Sequence, residues 1–77
     1  MNLPNYPKIV KNPMDFGTIK TKIAFNAYFD VEEFKNDMNL VFDNCILFNT
    51  KETVFGRIAF EMKHEFNAMA TREFFKI

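Results

Sequence analysis

The sequence has few of the residues that form disulfides, bind metals or carry out catalysis. It contains one cysteine, one histidine, two glycines and no tryptophan in 77 residues. A single cysteine cannot form an internal disulfide, and two isolated glycines exclude a glycine-rich phosphate loop. His64 has no nucleophile at a recognisable spacing, and no His, Cys, Asp or Glu cluster has metal-ligand spacing. We therefore expect no enzyme activity, no cofactor and no metal.

An excess of charge of one sign is also lacking. Ten Lys plus Arg balance ten Asp plus Glu, and like charges form no run. A nucleic-acid-binding face needs surplus positive charge, and an amphipathic membrane anchor needs a polar face rich in Lys or Arg. The longest apolar run is far too short to span a bilayer. The sequence therefore predicts no direct nucleic-acid contact and no membrane association.

Large apolar side chains, by contrast, are abundant. Apolar residues make up 48% of the chain, and eleven residues are Phe. This composition is that of one small globular domain rather than a disordered chain. Residues 1–15 contain all three prolines and no helical period, so we expect a long loop there. The loop also carries apolar side chains, which indicates that it either packs across the core or lines a site.

Three amphipathic helices are predicted after the loop, at about residues 16–25, 31–48 and 54–74. Asp15, Asp30 and Thr53 are the expected N-caps, and Asp30 with Glu33 is close to a capping box. Lys22 and Asn39 are expected on solvated faces. The apolar stripes repeat every three or four residues and comprise Phe16, Ile19 and Ile23; then Val31, Phe34, Met38, Val41, Cys45 and Phe48; then Phe55, Ile58 or Ala59, Met62, Phe66 and Met69.

The second of these helices ends in one amide side chain, Asn49. Cys45 lies one turn before it and Phe48 beside it. A single hydrogen-bonding group at the mouth of an apolar wall is typical of a recognition site. Asn is equally ordinary at the end of a helix, because it tolerates the left-handed conformation after the last turn. The residues alone leave both interpretations of Asn49 open.

Two segments together resemble the bromodomain family, the acetyl-lysine readers of chromatin proteins. Residues 6–19, YPKIVKNPMDFGTI, resemble the long loop that leads into the family's second helix. Residues 37–49, DMNLVFDNCILFN, resemble the third helix and the Asn that follows it. The resemblance implies an all-α, left-handed helix bundle with three of its four helices present. The chain is expected to start inside the loop after the first helix, without the Trp-Pro-Phe shelf of many members.

The resemblance implies that residues 1–77 form one partial bromodomain. It also implies roles for individual residues. Asn49 matches the amide that donates to the acetyl carbonyl, and Tyr6 matches the tyrosine that reaches this carbonyl through a water. Phe55 matches the residue at the pocket entrance, and Pro7 replaces a second tyrosine that is common after Tyr6. The remaining matches are the wall positions Cys45, Phe48 and Leu3, and the floor position Met14.

The function implied is non-catalytic recognition of acetylated histone tails in the nucleus. Without its first helix, such a bundle would expose an apolar seam through which chains could associate. A structural or oligomerising helical fragment with an incomplete pocket is therefore the alternative.

Overall fold

The computed structural model describes residues 6–74, apart from the side chains of Tyr6, Pro7, Glu73 and Phe74. The described residues form helices and connections only. The four helices are α1 (Tyr6–Ile9), α2 (Phe16–Ala24), α3 (Val31–Asn49) and α4 (Val54–Phe74). The all-α fold expected from the sequence is confirmed, and the three long helices begin and end within one residue of the predicted bounds.

The predicted capping residues begin these helices. Asp15 accepts from the Thr18 N–H at 2.7 Å, and Asp30 accepts from the Glu33 N–H at 2.9 Å. The Glu33 carboxylate reaches back to the Phe29 N–H at 3.4 Å, one residue earlier than in a regular capping box. Each cap satisfies a backbone donor that the first helical turn leaves unpaired.

The structure differs from the prediction in the first 15 residues, where a loop without helix was expected. Residues Tyr6–Ile9 form a single helical turn, α1. Proline is compatible with the first turn of a helix because the N–H that it lacks has no intrahelical partner there. Pro7 therefore does not prevent this turn. Val10, which follows it, is only 2% exposed, so this segment packs on the core.

Helix α3 is the centre of the fold, because each of the other helices packs against it. Phe42 of α3 and Phe66 and Ala70 of α4 form the core, and Phe34 and Met38 pack against them. The Phe42 ring also meets Phe16 of α2 at a centroid distance of 6.1 Å. On α2, however, only Ile19 of the predicted stripe is buried. Phe16 and Ile23 are about half exposed. On α4 the core position is Ala59 rather than Ile58.

Polar pairs fix the antiparallel register of α3 and α4. Asn39 and Asn67 exchange two side-chain hydrogen bonds, at 3.0 and 2.7 Å, and each amide also donates to the carbonyl one turn before it. Lys63 forms an ion pair with Asp43 at 2.5 Å. The prediction that Asn39 lies on a solvated face is therefore wrong, because its amide is half-buried between the two helices.

A second face of α4 is exposed and carries three apolar residues beside Glu65. Ile58, Met62 and Met69 are 44–48% exposed, and their spacing places them on one side of the helix. None of the helices in residues 6–74 is long and apolar enough to cross a membrane.

Candidate functional site

The last turn of α3 contains the amide that the sequence singled out. Asn49 is half-buried, and its Nδ2 donates to the Cys45 carbonyl oxygen at 3.0 Å. The residue with a left-handed φ is Thr50, at φ 64° and ψ 159°, whereas Asn49 is the last residue of the helix. The interpretation of Asn49 as the left-handed capping residue is therefore wrong, which leaves its side chain to be explained in another way.

Cys45 links Asn49 to the start of α4. The Asn49 Nδ2 lies 3.5 Å from the Cys45 Sγ, and the Cys45 thiol donates to the carbonyl oxygen of Phe55 at 3.7 Å. The Phe55 side chain itself is 69% exposed. The structure thus brings three of the predicted site residues together at one end of the α3–α4 pair. Their arrangement is an amide and a thiol beside the backbone of Phe55, whose side chain is exposed.

The connection between α3 and α4 is a tight corner built around the Thr50 carbonyl. The Thr53 hydroxyl donates to this carbonyl oxygen at 3.0 Å and accepts from the Gly56 N–H at 3.0 Å. A Cβ atom on Gly56 would lie 1.7 Å from the Thr50 oxygen, so only glycine fits at this position. The Thr50 conformation belongs to a region that is otherwise nearly restricted to glycine. The corner that follows Asn49 is therefore rigid and strained.

The other predicted site residues are Phe48, Met14, Tyr6 and Leu3. Phe48 is half-buried in the same turn as Asn49, and Met14 is half-buried in the segment between α1 and α2. Tyr6 begins α1, which packs against α3, and the Tyr6 side chain lies outside the described part of the chain. Leu3 lies outside the described residues. The roles given to these residues by resemblance stay predictions.

One residue beside the site, Asn44, was not predicted from the sequence. Its side chain is buried at 6% exposure, and its Nδ2 donates to the Asn12 carbonyl oxygen at 2.8 Å. This bond connects α3 to the segment between α1 and α2. The signal was available, because Asn44 lies one turn before Phe48 on the same side of a helix that is otherwise apolar there.

A second polar cluster lies near the other end of α3. Asp37 accepts from Lys22 at 2.6 Å and from the Tyr28 hydroxyl at 2.7 Å. Partial burial opposes ionisation of Asp37, but the bonds from Lys22 and Tyr28 and the Lys22 charge outweigh it and hold the Asp37 pKa below its ordinary value. Burial and the bond to Asp37 raise the pKa of Tyr28 to about 12. Lys22, predicted to be solvated, is instead paired with Asp37.

A groove of about 470 Å³ opens beside this cluster, and it is not the predicted site. Its walls are mainly apolar, and two of its polar groups are already engaged, since Asp30 caps α3 and Tyr28 donates to Asp37. The residues that line it are Ile23, Asn26, Tyr28, Asp30, Val31 and Phe34. Within the described residues no group of three or more His, Cys, Asp or Glu side chains is placed to hold a metal ion.

Comparison with known proteins identifies the family. The family model described as Bromodomain matches residues 1–61. The second bromodomain of Bdf1 from Candida albicans, solved bound to an imidazopyridine, superposes with a TM-score of 0.77 at 43% sequence identity. The match covers 84% of this chain and 61% of that one. The chain belongs to the bromodomain family, and it is a non-catalytic module of the acetyl-lysine reader class.

Curated relatives agree with this assignment. Bromodomain-containing factor 1 of Candida albicans is 53% identical over 53 residues, which cover 69% of this chain and 7% of the relative. The SWR1 complex bromodomain subunit bdf1 of Schizosaccharomyces pombe is 46% identical over 84% of this chain and 11% of its own length. Bromodomain adjacent to zinc finger domain protein 2B of Gallus gallus is 43% identical over 97% of this chain and 4% of its own length. The chain thus spans a small part of each relative.

Proposed function

We propose that this chain binds acetylated lysine on histone tails, with Asn49 as the residue that recognises the acetyl group. The observation that carries the proposal is the Asn49 amide. An amide nitrogen has two N–H groups, and only one of them can point along the 3.0 Å bond to the Cys45 carbonyl. The second contact of this nitrogen is with the Cys45 sulfur at 3.5 Å, which is a weak acceptor. A carbonyl oxygen from a ligand would be a better partner.

The chemistry of the site favours an acetylated over an unmodified lysine. Acetylation turns an ammonium group into a neutral amide, so the side chain can enter an apolar slot without the cost of desolvating an unpaired charge. Its carbonyl still needs a donor once it is buried, and Asn49 provides one. No carboxylate takes part in the contacts among Asn49, Cys45 and Phe55 that would compensate an ammonium group.

The remaining residues of the predicted site would shape this slot. Phe55, exposed at the start of α4, would narrow the entrance, and Cys45 and Phe48 would form the wall on α3. Met14 would lie at the floor, whereas Tyr6 and Leu3 would approach from the N-terminal segment. Tyr6 would contact the acetyl carbonyl through a bridging water, which costs little affinity compared with a direct bond.

A titration tests the proposal directly. The 77-residue chain is titrated with a histone-tail peptide that carries one acetyl-lysine, and with the same peptide unmodified, while backbone and side-chain amide signals are followed by NMR. We expect saturable shifts at Asn49, Cys45 and Phe55 with the acetylated peptide only. Equal shifts with both peptides, or no shifts in a folded chain, would refute it.

The exposed face of α4 that carries three apolar residues favours the alternative, an oligomerising helical fragment. Ile58, Met62 and Met69 lie on that face, away from the buried residues Ala59, Phe66 and Ala70. If this face joins chains, sedimentation will show a concentration-dependent dimer that Met62→Glu dissociates. Under the reader proposal, Met62→Glu leaves binding of the acetylated peptide unchanged.

The proposed location is the nucleus, where acetylated histones are found. Similarity to the SWR1 complex bromodomain subunit supports this placement. Imaging of the fluorescently tagged protein in cells would test it, and exclusion from the nucleus would contradict it.

A further inference from the structure

We infer that Asn44 is a positioning residue for acetyl-lysine recognition, because it fastens the segment between α1 and α2 to the helix that carries Asn49. The inference rests on the proposed function. Asn44 is the one buried polar side chain among the described residues, and its amide points at the backbone of another segment rather than at its own helix.

The bond that Asn44 makes connects parts of the chain that are far apart in sequence. Its Nδ2 donates to the Asn12 carbonyl oxygen at 2.8 Å, across 32 residues. Asn12 precedes Pro13, which has no N–H and restricts Asn12 to extended conformations. The backbone here cannot form a helix that would satisfy this carbonyl. A side-chain donor from α3 therefore supplies the fixed contact.

Asn44 also lies at the right place on α3 to influence the site. It is next to Cys45 and one turn before Phe48, on the same side of the helix as Phe48. Along the helix axis it lies about 7.5 Å from Asn49. The segment that it holds includes Met14, and this segment is continuous with α1. One hydrogen bond thus sets how closely the wall on α3 faces the N-terminal side of the proposed slot.

A second contact shows that the segment is held at more than one point. Val10, directly after α1, is 2% exposed, so it anchors the start of the segment by burial. Hydrophobic burial of Val10 has no directional preference and fixes the segment loosely. The Asn44 hydrogen bond is directional and fixes the position of the segment along α3. Loss of the bond would leave the segment attached but free to shift. The population competent to bind would fall, and the apparent affinity would fall with it.

The test compares Asn44→Ala with Asn39→Ala. Asn39 lies on the same helix and its side chain is also hydrogen-bonded to another segment, but it is half-buried and its partners are Lys35 and Asn67, away from residues 10–15. Both variants are titrated with the acetyl-lysine peptide well below their melting temperatures. We expect Asn44→Ala to weaken binding on the order of tenfold, and Asn39→Ala to leave it within about twofold despite a similar fall in melting temperature.

Hydrogen exchange gives a second measurement, which holds even if Asn44→Ala does not fold. In the wild-type chain, amide exchange in residues 10–15 is expected to slow on binding the acetylated peptide and to be unaffected by the unmodified peptide. If exchange there is unchanged in a wild-type chain that binds, or if the two variants bind equally, the positioning role is overturned. If the wild-type chain does not bind the acetylated peptide, the proposed function fails first, and the role of Asn44 fails with it.

Discussion

The two ends of α3 each contain a polar cluster, and the clusters are built in opposite ways. Near the N-terminal end, Asp37 bonds to Lys22 and Tyr28, which belong to α2 and to the connection before α3. At the C-terminal end, the Asn49 side chain bonds to Cys45 of its own helix. The two residues are about 18 Å apart along the axis. One cluster joins separate elements, whereas the other keeps its amide within a single turn.

This difference separates a structural polar group from one suited to bind a ligand. Long-range bonds to Asp37 hold α2 and the connection before α3 against α3, so removing them weakens this packing. The Asn49 bond holds no other element in place, so a ligand can engage this amide without disturbing the packing. The rigidity of the C-terminal end comes instead from the backbone corner at Thr50 and Gly56. Mutations at the two ends should therefore affect stability and binding differently.

The largest effect is expected from Gly56→Ala. The added Cβ would lie 1.7 Å from the Thr50 carbonyl oxygen, so the corner must move. We expect a loss of about 3 kcal/mol in the free energy of unfolding, measured by urea denaturation. Gly17→Ala is the control, because its Cβ meets only the flexible Asp15 side chain, at 3.1 Å. A Gly56 variant as stable as the wild type would show that the corner is not rigid.

Asp37→Ala is expected to have the next largest effect. It leaves Lys22 and Tyr28 without their acceptor, and we expect a loss of about 2 kcal/mol in unfolding free energy. Asp43→Ala is the matched control on the same helix, since Asp43 is 52% exposed where Asp37 is 16% exposed. Its ion pair with Lys63 should contribute less than about 1 kcal/mol. Equal losses from the two variants would remove the distinction between a structural cluster and a surface pair.

The N-terminal cluster should also make stability depend on pH on both sides of neutrality. The lowered Asp37 pKa means that its contribution is present above the ordinary value of 3.8 and is lost as the pH falls below it. The pKa of Tyr28 is raised from 10.0 to about 12, so its contribution to stability is lost as the pH rises between these values. The hydrogen bonds from Thr18 also lower the pKa of Asp15. Loss of stability at acid pH must therefore be divided between Asp15 and Asp37 by comparing variants.

Two variants make that assignment. Asp37→Asn should reduce the acid dependence of the urea midpoint, and Tyr28→Phe should reduce its alkaline dependence. If both variants follow the wild-type profile, the cluster does not control the pH dependence. The Asn49 amide does not ionise, so we expect binding of the acetylated peptide to vary little between pH 6 and 8.

A smaller effect of opposite sign is expected from Thr50→Gly. Glycine adopts φ 64° and ψ 159° without the steric cost that Thr50 bears, although it loses more entropy on folding. The net gain should be about 1 kcal/mol in unfolding free energy. Thr53→Gly is a useful comparison, because it removes the hydroxyl that holds the corner and should destabilise it. A destabilised Thr50→Gly variant would show that the strain is absent.

Local signals predicted the helices well. The capping residues Asp15, Asp30 and Thr53 and the apolar periods act over a few residues, so they can be recognised without knowledge of the tertiary fold. The turn α1 was missed because three prolines suggested a loop, although Pro7 in a first turn is compatible with a helix.

Contacts between distant segments were not predictable in the same way. Lys22 and Asn39 appear on the polar sides of their helices, and only tertiary packing pairs them with Asp37 and Asn67. The Asn44 bond to Asn12 spans 32 residues and has no local signal except a polar residue in an apolar helix. For Asn49 the sequence left two interpretations, and the backbone conformation of Thr50 decided against the capping one.

The most direct test of the account is to measure peptide affinity and melting temperature together for Asn49→Ala. The variant loses one hydrogen bond within its own helix, so its melting temperature should stay within about 5 °C of the wild type. Its affinity for the acetyl-lysine peptide should fall on the order of a hundredfold, because the buried acetyl carbonyl loses its donor. A variant that unfolds, or one that binds as tightly as the wild type, would contradict the assignment of Asn49 to recognition.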